Sequence, residues 1–314
     1  MKKILSYFAF AIIGLSLVLA PSIAEAKKKN VVKVQLIAEE TEWKYDNQGS
    51  TMTAFTFNGT IPGPVIRVTE GDIVEFELVN NTKNKKSHSI DFHAARVDVL
   101  KQFSAIKPGE KKTFSFPATT PGVFYYHCGA NPMHEHIARG MFGVIIVDPK
   151  KDKRPKPDRE YVLVQSEIYD KPDQLIQDRA TNVVFNGRAF RYDPVHDEKA
   201  SGNVMMAKPG ERVRIYFANA GPHNFSAFHP IAGIWDKVWL SGNPKNELTG
   251  MQTVNVGPGD AVTVDLISPV EGGNAIVTHS LKDAMTGAIA VIVFQNKLNE
   301  EQDALGKNGN YVVK

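Results

Sequence analysis

The sequence predicts an all-β chain of two tandem Greek-key β-sandwich domains, on three observations. Short alternating or apolar runs rich in Val, Thr, Ile and Phe are separated by turns drawn from 24 glycines and 18 prolines, the pattern of short antiparallel strands. At roughly 100–200 residues per domain, 314 residues make two domains. The chain also repeats itself. Phe57-Asn58-Gly59 returns as Phe185-Asn186-Gly187, and Glu70-Gly71-Asp72 returns as Pro209-Gly210-Glu211, each of the latter leading into a strand-like run. Pro108-Gly109-Glu110 precedes His127 much as Pro258-Gly259-Asp260 precedes His279, and Met141 to Val147 matches Met285 to Val291. The offset between matching motifs drifts along the chain, as expected when loops differ and strands persist.

In chain order, Lys2 and Lys3 precede an apolar run from Ile4 to Ala20, followed by Pro21 and Ala24-Glu25-Ala26. This is the pattern of a secretory signal cut after Ala26, which places the mature chain outside the cytoplasm, in the periplasm or otherwise exported, with no membrane span after its removal. Residues 27–149 form the first sandwich. The charged, Pro-rich stretch 150–158 reads as a linker, and 159–296 form the second sandwich. Asp173 to Arg179 reads as a short helix or a loop, and 297–314 as a polar tail. A net charge of +3, from 37 basic and 34 acidic residues, gives no electrostatic case for nucleic acid. One cysteine, Cys128, stands against nine histidines. It excludes an intrachain disulfide and any zinc site that needs two cysteines from one chain. In an exported chain a lone thiol calls for burial or metal ligation.

Around that thiol the sequence runs Tyr126-His127-Cys128, then His136 and Met141, with His88-Ser89-Ile90-Asp91-Phe92-His93 upstream. A copper electron-transfer site takes one thiolate, two imidazoles and a weak axial thioether. Cys128, His136 and Met141 lie on one loop between two strands, and His88 comes from a neighbouring strand. His127 is adjacent to Cys128, so on a strand it faces the other way. His93 is an odd number of residues from His88, so it faces away as well. His93 and His127 thus make a second pair, one residue step from the first site. In the second repeat His279 takes the place of His127, but Ser280 follows it and no thiolate site forms there. Three histidines with an open fourth position suit catalysis rather than structure. Asp91 shares the face of His93 and can relay protons beside it. His134, His196 and His223 read as non-ligands.

From Phe55 to Phe294 the chain resembles the copper-containing nitrite reductases, trimers of two-domain cupredoxins. The motifs are Phe57 to Pro64, His88 to His93, Tyr126 to Met141, Phe228-His229-Pro230-Ile231 and Val277-Thr278-His279-Ser280-Leu281. The resemblance implies two cupredoxin-like domains and one type 1 and one type 2 copper per subunit. It assigns His88, Cys128, His136 and Met141 to the type 1 copper. It assigns His93 and His127, with His279 from an adjacent subunit, to the type 2 copper. Asp91 and His229 match proton donors, and Ile231 matches an apolar wall of the substrate pocket. It further implies a homotrimer with the type 2 copper at the subunit interface. A small redox protein, a cupredoxin or a cytochrome c, would supply electrons that pass from type 1 to type 2 copper and reduce nitrite to nitric oxide.

One departure bears on substrate. After His93 the family usually has a glycine-rich run, whereas this chain has Ala94 to Phe103 with Arg96 and Asp98. That loop leaves open an oxidase of hydroxylamine or another small nitrogen compound. A laccase-like multicopper oxidase needs more histidines than this chain has, and His127-Cys128-Gly129 lacks its third-position histidine. A non-catalytic electron carrier needs no second metal.

Overall fold

The computed structural model describes residues 29–304 and 306–307; the segment read as a signal, 1–26, lies outside them. In the first half, one sheet holds β1 (Val31–Lys44), β2 (Thr51–Phe57), β4 (Ile73–Asn80) and β6 (Lys111–Pro117), in the order β2-β1-β4-β6. The other holds β3 (Ile66–Thr69), β5 (Asp91–Phe92), β7 (Gly122–His127) and β8 (Phe142–Asp148), in the order β3-β8-β7-β5. Two short helices interrupt it, α1 (Val99–Gln102) and α2 (Met133–Ala138).

The second half repeats this order with additions. β9 (Arg159–Ile168), β10 (Asn182–Phe185), β12 (Arg212–Asn219) and β17 (Ala261–Ile267) run β10-β9-β12-β17, extended by β14 (Trp235–Leu240) and β15 (Glu247–Met251). β11 (Met205–Ala207), β13 (Ser226–Pro230), β18 (Gly272–Thr278) and β19 (Ile289–Phe294) run β11-β19-β18-β13, extended by β16 (Val254–Val256). Helices α3 (Pro172–Ile176), α4 (Leu281–Ala284) and α5 (Glu300–Ala304), with a 3-10 turn at Glu198–Asn203, complete the described chain. α3 overlaps the stretch Asp173 to Arg179 read as helix or loop, starting one residue before it. None of these helices is long and apolar enough to cross a membrane.

The sheets are mixed rather than purely antiparallel. β1 runs parallel to β4, β3 to β8, β9 to β12 and β11 to β19. Connections that cross the sandwich bring together strands that are not hairpin partners, and crossovers of that kind can leave neighbours pointing the same way.

The repeat is visible atom by atom. Asn58 and Asn186 both adopt positive φ (56° and 50°), each followed by a positive-φ glycine. That is the two-residue turn Asn-Gly favours. Each asparagine Oδ1 accepts a backbone N–H at 2.7 Å, from Ile37 and Val164 respectively.

The burial pattern places the chemistry. β4 alternates, with Val74, Phe76 and Leu78 pointing inward, as a half-buried strand should. β8 is buried on both faces. Ile145 and Val147 enter the first core, while Phe142, Val144 and Ile146 pack with Val162, Val164, Tyr216 and Ala218 of the second half. The sheet carrying β7 is therefore the layer pressed between the sandwiches. Tyr126 on β7 and the following Cys128 point into the first core, and Tyr125 points into the layer between the halves.

Candidate metal centres

The thiolate group assembles from three segments. Asn80 at the end of β4 donates through Nδ2 to the carbonyls of Lys86 and Ile106, both at 3.0 Å. The His88 backbone then pairs with Ile106 in an isolated bridge. His88 is thus held by a bridge rather than by a neighbouring strand. Cys128 follows β7 directly, and its N–H donates to the Met141 carbonyl at 3.0 Å.

The loop to Met141 contains α2, which the sequence does not signal. Its N-cap Pro132 makes no side-chain cap bond. It is held by burial of His136, Ile137 and Ala138 and by an Arg139–Glu135 ion pair at 2.9 Å. Gly140 ends it at φ 101°, where a Cβ would fall 2.2 Å from Ile61 Cδ1. Only glycine meets both demands, and the turn delivers Met141 back to His136, whose carbonyl accepts the Met141 N–H at 3.1 Å.

Cys128 Sγ lies 3.2 Å from His136 Nδ1 and 3.9 Å from His88 Nδ1, and the two Nδ1 atoms are 3.2 Å apart. All three side chains and Met141 are buried. Donors this close, with both imidazole nitrogens turned toward the sulfur, suit a metal at about 2.0–2.3 Å from each. The donor set of one sulfur and two imidazoles, with a thioether on the same loop, favours copper. Burial pushes the His88 imidazole below its usual range, and burial with repulsion from His88 brings His136 down to about 4. Both rings are therefore neutral at pH 7, with lone pairs available. Burial pushes the Cys128 thiol up. The Ser89 N–H donates to Sγ at 3.3 Å, and Ser89 Oγ accepts the Gly129 N–H at 2.9 Å, which ties the two ligand segments together.

The second group lies on the opposite face of the same strand. β5 pairs with β7 so that Asp91 opposes His127, and the His93 N–H donates to the Tyr125 carbonyl at 3.1 Å. His93 Nε2 and His127 Nε2 are 3.3 Å apart, and Asp91 Oδ2 is 3.9 Å from His127 Nε2. The His127 Nδ1–H donates to the Cys128 carbonyl at 3.0 Å. A carbonyl only accepts, so Nε2 keeps its lone pair toward His93. Burial lowers the His127 pKa and keeps the ring neutral. Tyr125 supports both rings, stacked on His127 at 4.9 Å between centroids and edge-on to His93 at 5.4 Å. Asp91, His93 and His127 lie within metal-binding distance of one another.

His279 is not part of that group within the chain. It follows β18 and is exposed, with its ring 5.1 Å from that of His229. His229 Nδ1–H donates to the Gln252 carbonyl at 2.6 Å, which leaves Nε2 free. Ile231, two residues on, is 45% exposed. Neither donor group includes His134, His196 or His223. His196 Nδ1 bonds Asp193 at 2.6 Å, and His223 Nε2 donates to the Leu175 carbonyl at 3.0 Å.

Sequence reasoning missed three supports. Tyr125 was open to it, since strand alternation puts i−2 on the face of His127. Ser89, next to His88, carried a weak local signal. Glu40 carried none: its Oε1 sits 3.4 Å from His88 Nε2 across a long stretch of chain.

Comparison with known proteins agrees with this geometry. The multicopper oxidase family model matches residues 38–152. A copper-containing nitrite reductase of Neisseria meningitidis serogroup B is 35% identical over 298 residues, which span 90% of this chain and 71% of that protein. Among solved structures, a copper nitrite reductase from Nitrosomonas europaea is 57% identical with a TM-score of 0.87, covering 91% of this chain and 100% of that one. A copper-containing nitrite reductase from Thermus scotoductus is 35% identical with a TM-score of 0.78, covering 85% of this chain and 62% of that one. With the fold, the donor groups and these relatives in agreement, the chain belongs to the copper-containing nitrite reductases.

Proposed function

We propose that this enzyme reduces nitrite to nitric oxide using a type 1 copper held by His88, Cys128, His136 and Met141 and a type 2 copper held by His93 and His127. His279 of an adjacent subunit completes the second site in a homotrimer, with one copper of each type per subunit. The observation that carries this reading is the single backbone step from His127 to Cys128, whose side chains enter two donor groups on opposite faces of one strand. Electrons enter from a small redox protein, a cupredoxin or a cytochrome c, and the chain works in the periplasm or otherwise outside the cytoplasm.

When bound, the two coppers supply one-electron transfer and Lewis acidity toward the nitrite oxygen. The remaining work falls to side chains. Nitrite, one electron and two protons give nitric oxide and water. Asp91, about a third exposed and beside His127 Nε2, holds one proton at its carboxylate. His229 moves the second at Nε2, its ring fixed by the Nδ1–H bond to Gln252. Ile231 walls the pocket.

Turnover consumes protons, so it should rise as pH falls from about 8 to about 6. Asp91→Asn should lower kcat about 10²-fold, the size of one positioned proton donor, with copper content unchanged. Copper analysis with parallel nitrite and hydroxylamine assays tests the reading. One copper per chain, or turnover of hydroxylamine alone, would overturn it. The loop after His93 places Leu100, 85% exposed, on α1, so exchanging that loop is the direct probe of substrate choice.

A further inference from the structure

We infer that Glu40, on β1, is a positioning residue for the type 1 copper, holding His88 from behind and setting the balance between Cu(II) and Cu(I). The inference rests on the reading of His88, Cys128, His136 and Met141 as that copper's ligands. His88 turns Nδ1 toward Cys128 and His136, so its proton sits on Nε2. Nε2 is buried and makes no regular hydrogen bond. The group that faces it is the Glu40 carboxylate, with Oε1 at 3.4 Å. That separation is long for a hydrogen bond, so the contact is mainly charge against a polarised ring N–H.

The carboxylate is itself anchored. Its Oε1 accepts the backbone N–H of Lys85 at 2.9 Å and of Lys86 at 2.7 Å. The Glu40 N–H donates to Asn84 Oδ1 at 2.9 Å, and Asn84 Nδ2 donates to the Ala38 carbonyl at 2.8 Å. The side chain is only 13% exposed. β1 and the segment leading to His88 are thus locked together, with one negative charge aimed at the imidazole. A metal-binding histidine backed by a carboxylate is oriented by it and made a stronger donor. The added charge favours the more positive oxidation state, so Glu40 should hold the reduction potential of the type 1 copper down.

Glu40→Gln separates charge from shape, because the amide oxygen can still accept from Lys85 and Lys86. The readout is the midpoint potential followed through the thiolate-to-copper band. We expect Glu40→Gln to shift the equilibrium about tenfold toward Cu(I), which is about 59 mV upward for one electron. Glu40→Asp keeps the charge and should stay closer to wild type. An unchanged potential in Glu40→Gln, or equal potentials in the Gln and Asp variants, overturns the inference. A wild-type protein without a thiolate-to-copper band overturns the ligand assignment instead, so the two failures are distinct. If Glu40→Gln does not fold, NMR of the wild-type copper(I) protein decides. A slowly exchanging His88 Nε2–H resonance that moves in Glu40→Asp supports the contact, and an Nε2 without a proton overturns it.

Discussion

Cys128→Ala should bleach the visible thiolate-to-copper band and lower nitrite turnover driven by a protein donor by more than the ~10–100-fold that loss of a supporting partner costs. The chain has no second cysteine, so nothing else can supply the sulfur. The expected result is a split one. The Cys128 carbonyl, which accepts the His127 Nδ1–H, and the Cys128 N–H, which donates to Met141, belong to the backbone and survive the substitution. His93, His127 and Asp91 therefore keep their places, and copper should fall from two per subunit to one. Metal analysis beside the visible and EPR spectra reads this directly. A thiolate band that persists would sink the assignment of the type 1 site. Loss of both coppers with the fold intact would refute the separateness of the two sites.

That separateness was legible because a strand has a period of two. His127 next to Cys128 must face the other way where β7 ends, and the Asn-Gly and Pro-Gly repeats announced the sheets. His88 sits in an isolated bridge and His93 just past β5, so their odd spacing alone does not set them apart. Other features depend on partners distant in sequence. The parallel pairing of β1 with β4 follows from crossings between sheets, which no local pattern encodes. Helix α2 has neither a capping side chain nor a long periodic run. It exists because His136, Ile137 and Ala138 are buried and Gly140 can turn against Ile61. Glu40 meets His88 only after β1 has taken its place beside the loop. The structure of one chain also separates what motif order alone leaves merged: His279 sits with His229, apart from the group of Asp91, His93 and His127.

Mixing two inactive variants should restore activity if the second copper site is shared between subunits. His93→Ala and His279→Ala should each remove type 2 copper and nearly all turnover while leaving the type 1 band. In an assembly of both chains in equal amounts, a shared site takes His93 and His127 from one subunit and His279 from its neighbour. It is intact when the first subunit is the His279→Ala chain and the second the His93→Ala chain. With random assembly into closed cyclic trimers, that holds for about one site in four over the whole mixture and about one in three in assemblies that contain both chains, so turnover should return to about a quarter of wild type in the mixture and about a third in the isolated mixed assemblies. If all three histidines came from the same chain, every site in the mixture would lack one of them and activity would stay near zero. The exposure supports the shared arrangement. His93 and His279 are both exposed, and Ile231 and Leu281, two residues beyond His229 and His279, are 45% and 62% exposed. Exposed apolar side chains bordering the His229–His279 pair, of which His279 is exposed, suit a face that a second copy covers. Co-expression of the two variants with different tags, isolation of doubly tagged assemblies and measurement of their type 2 EPR signal per subunit give the answer. A doubly tagged assembly with no recovered signal or turnover would refute the shared site.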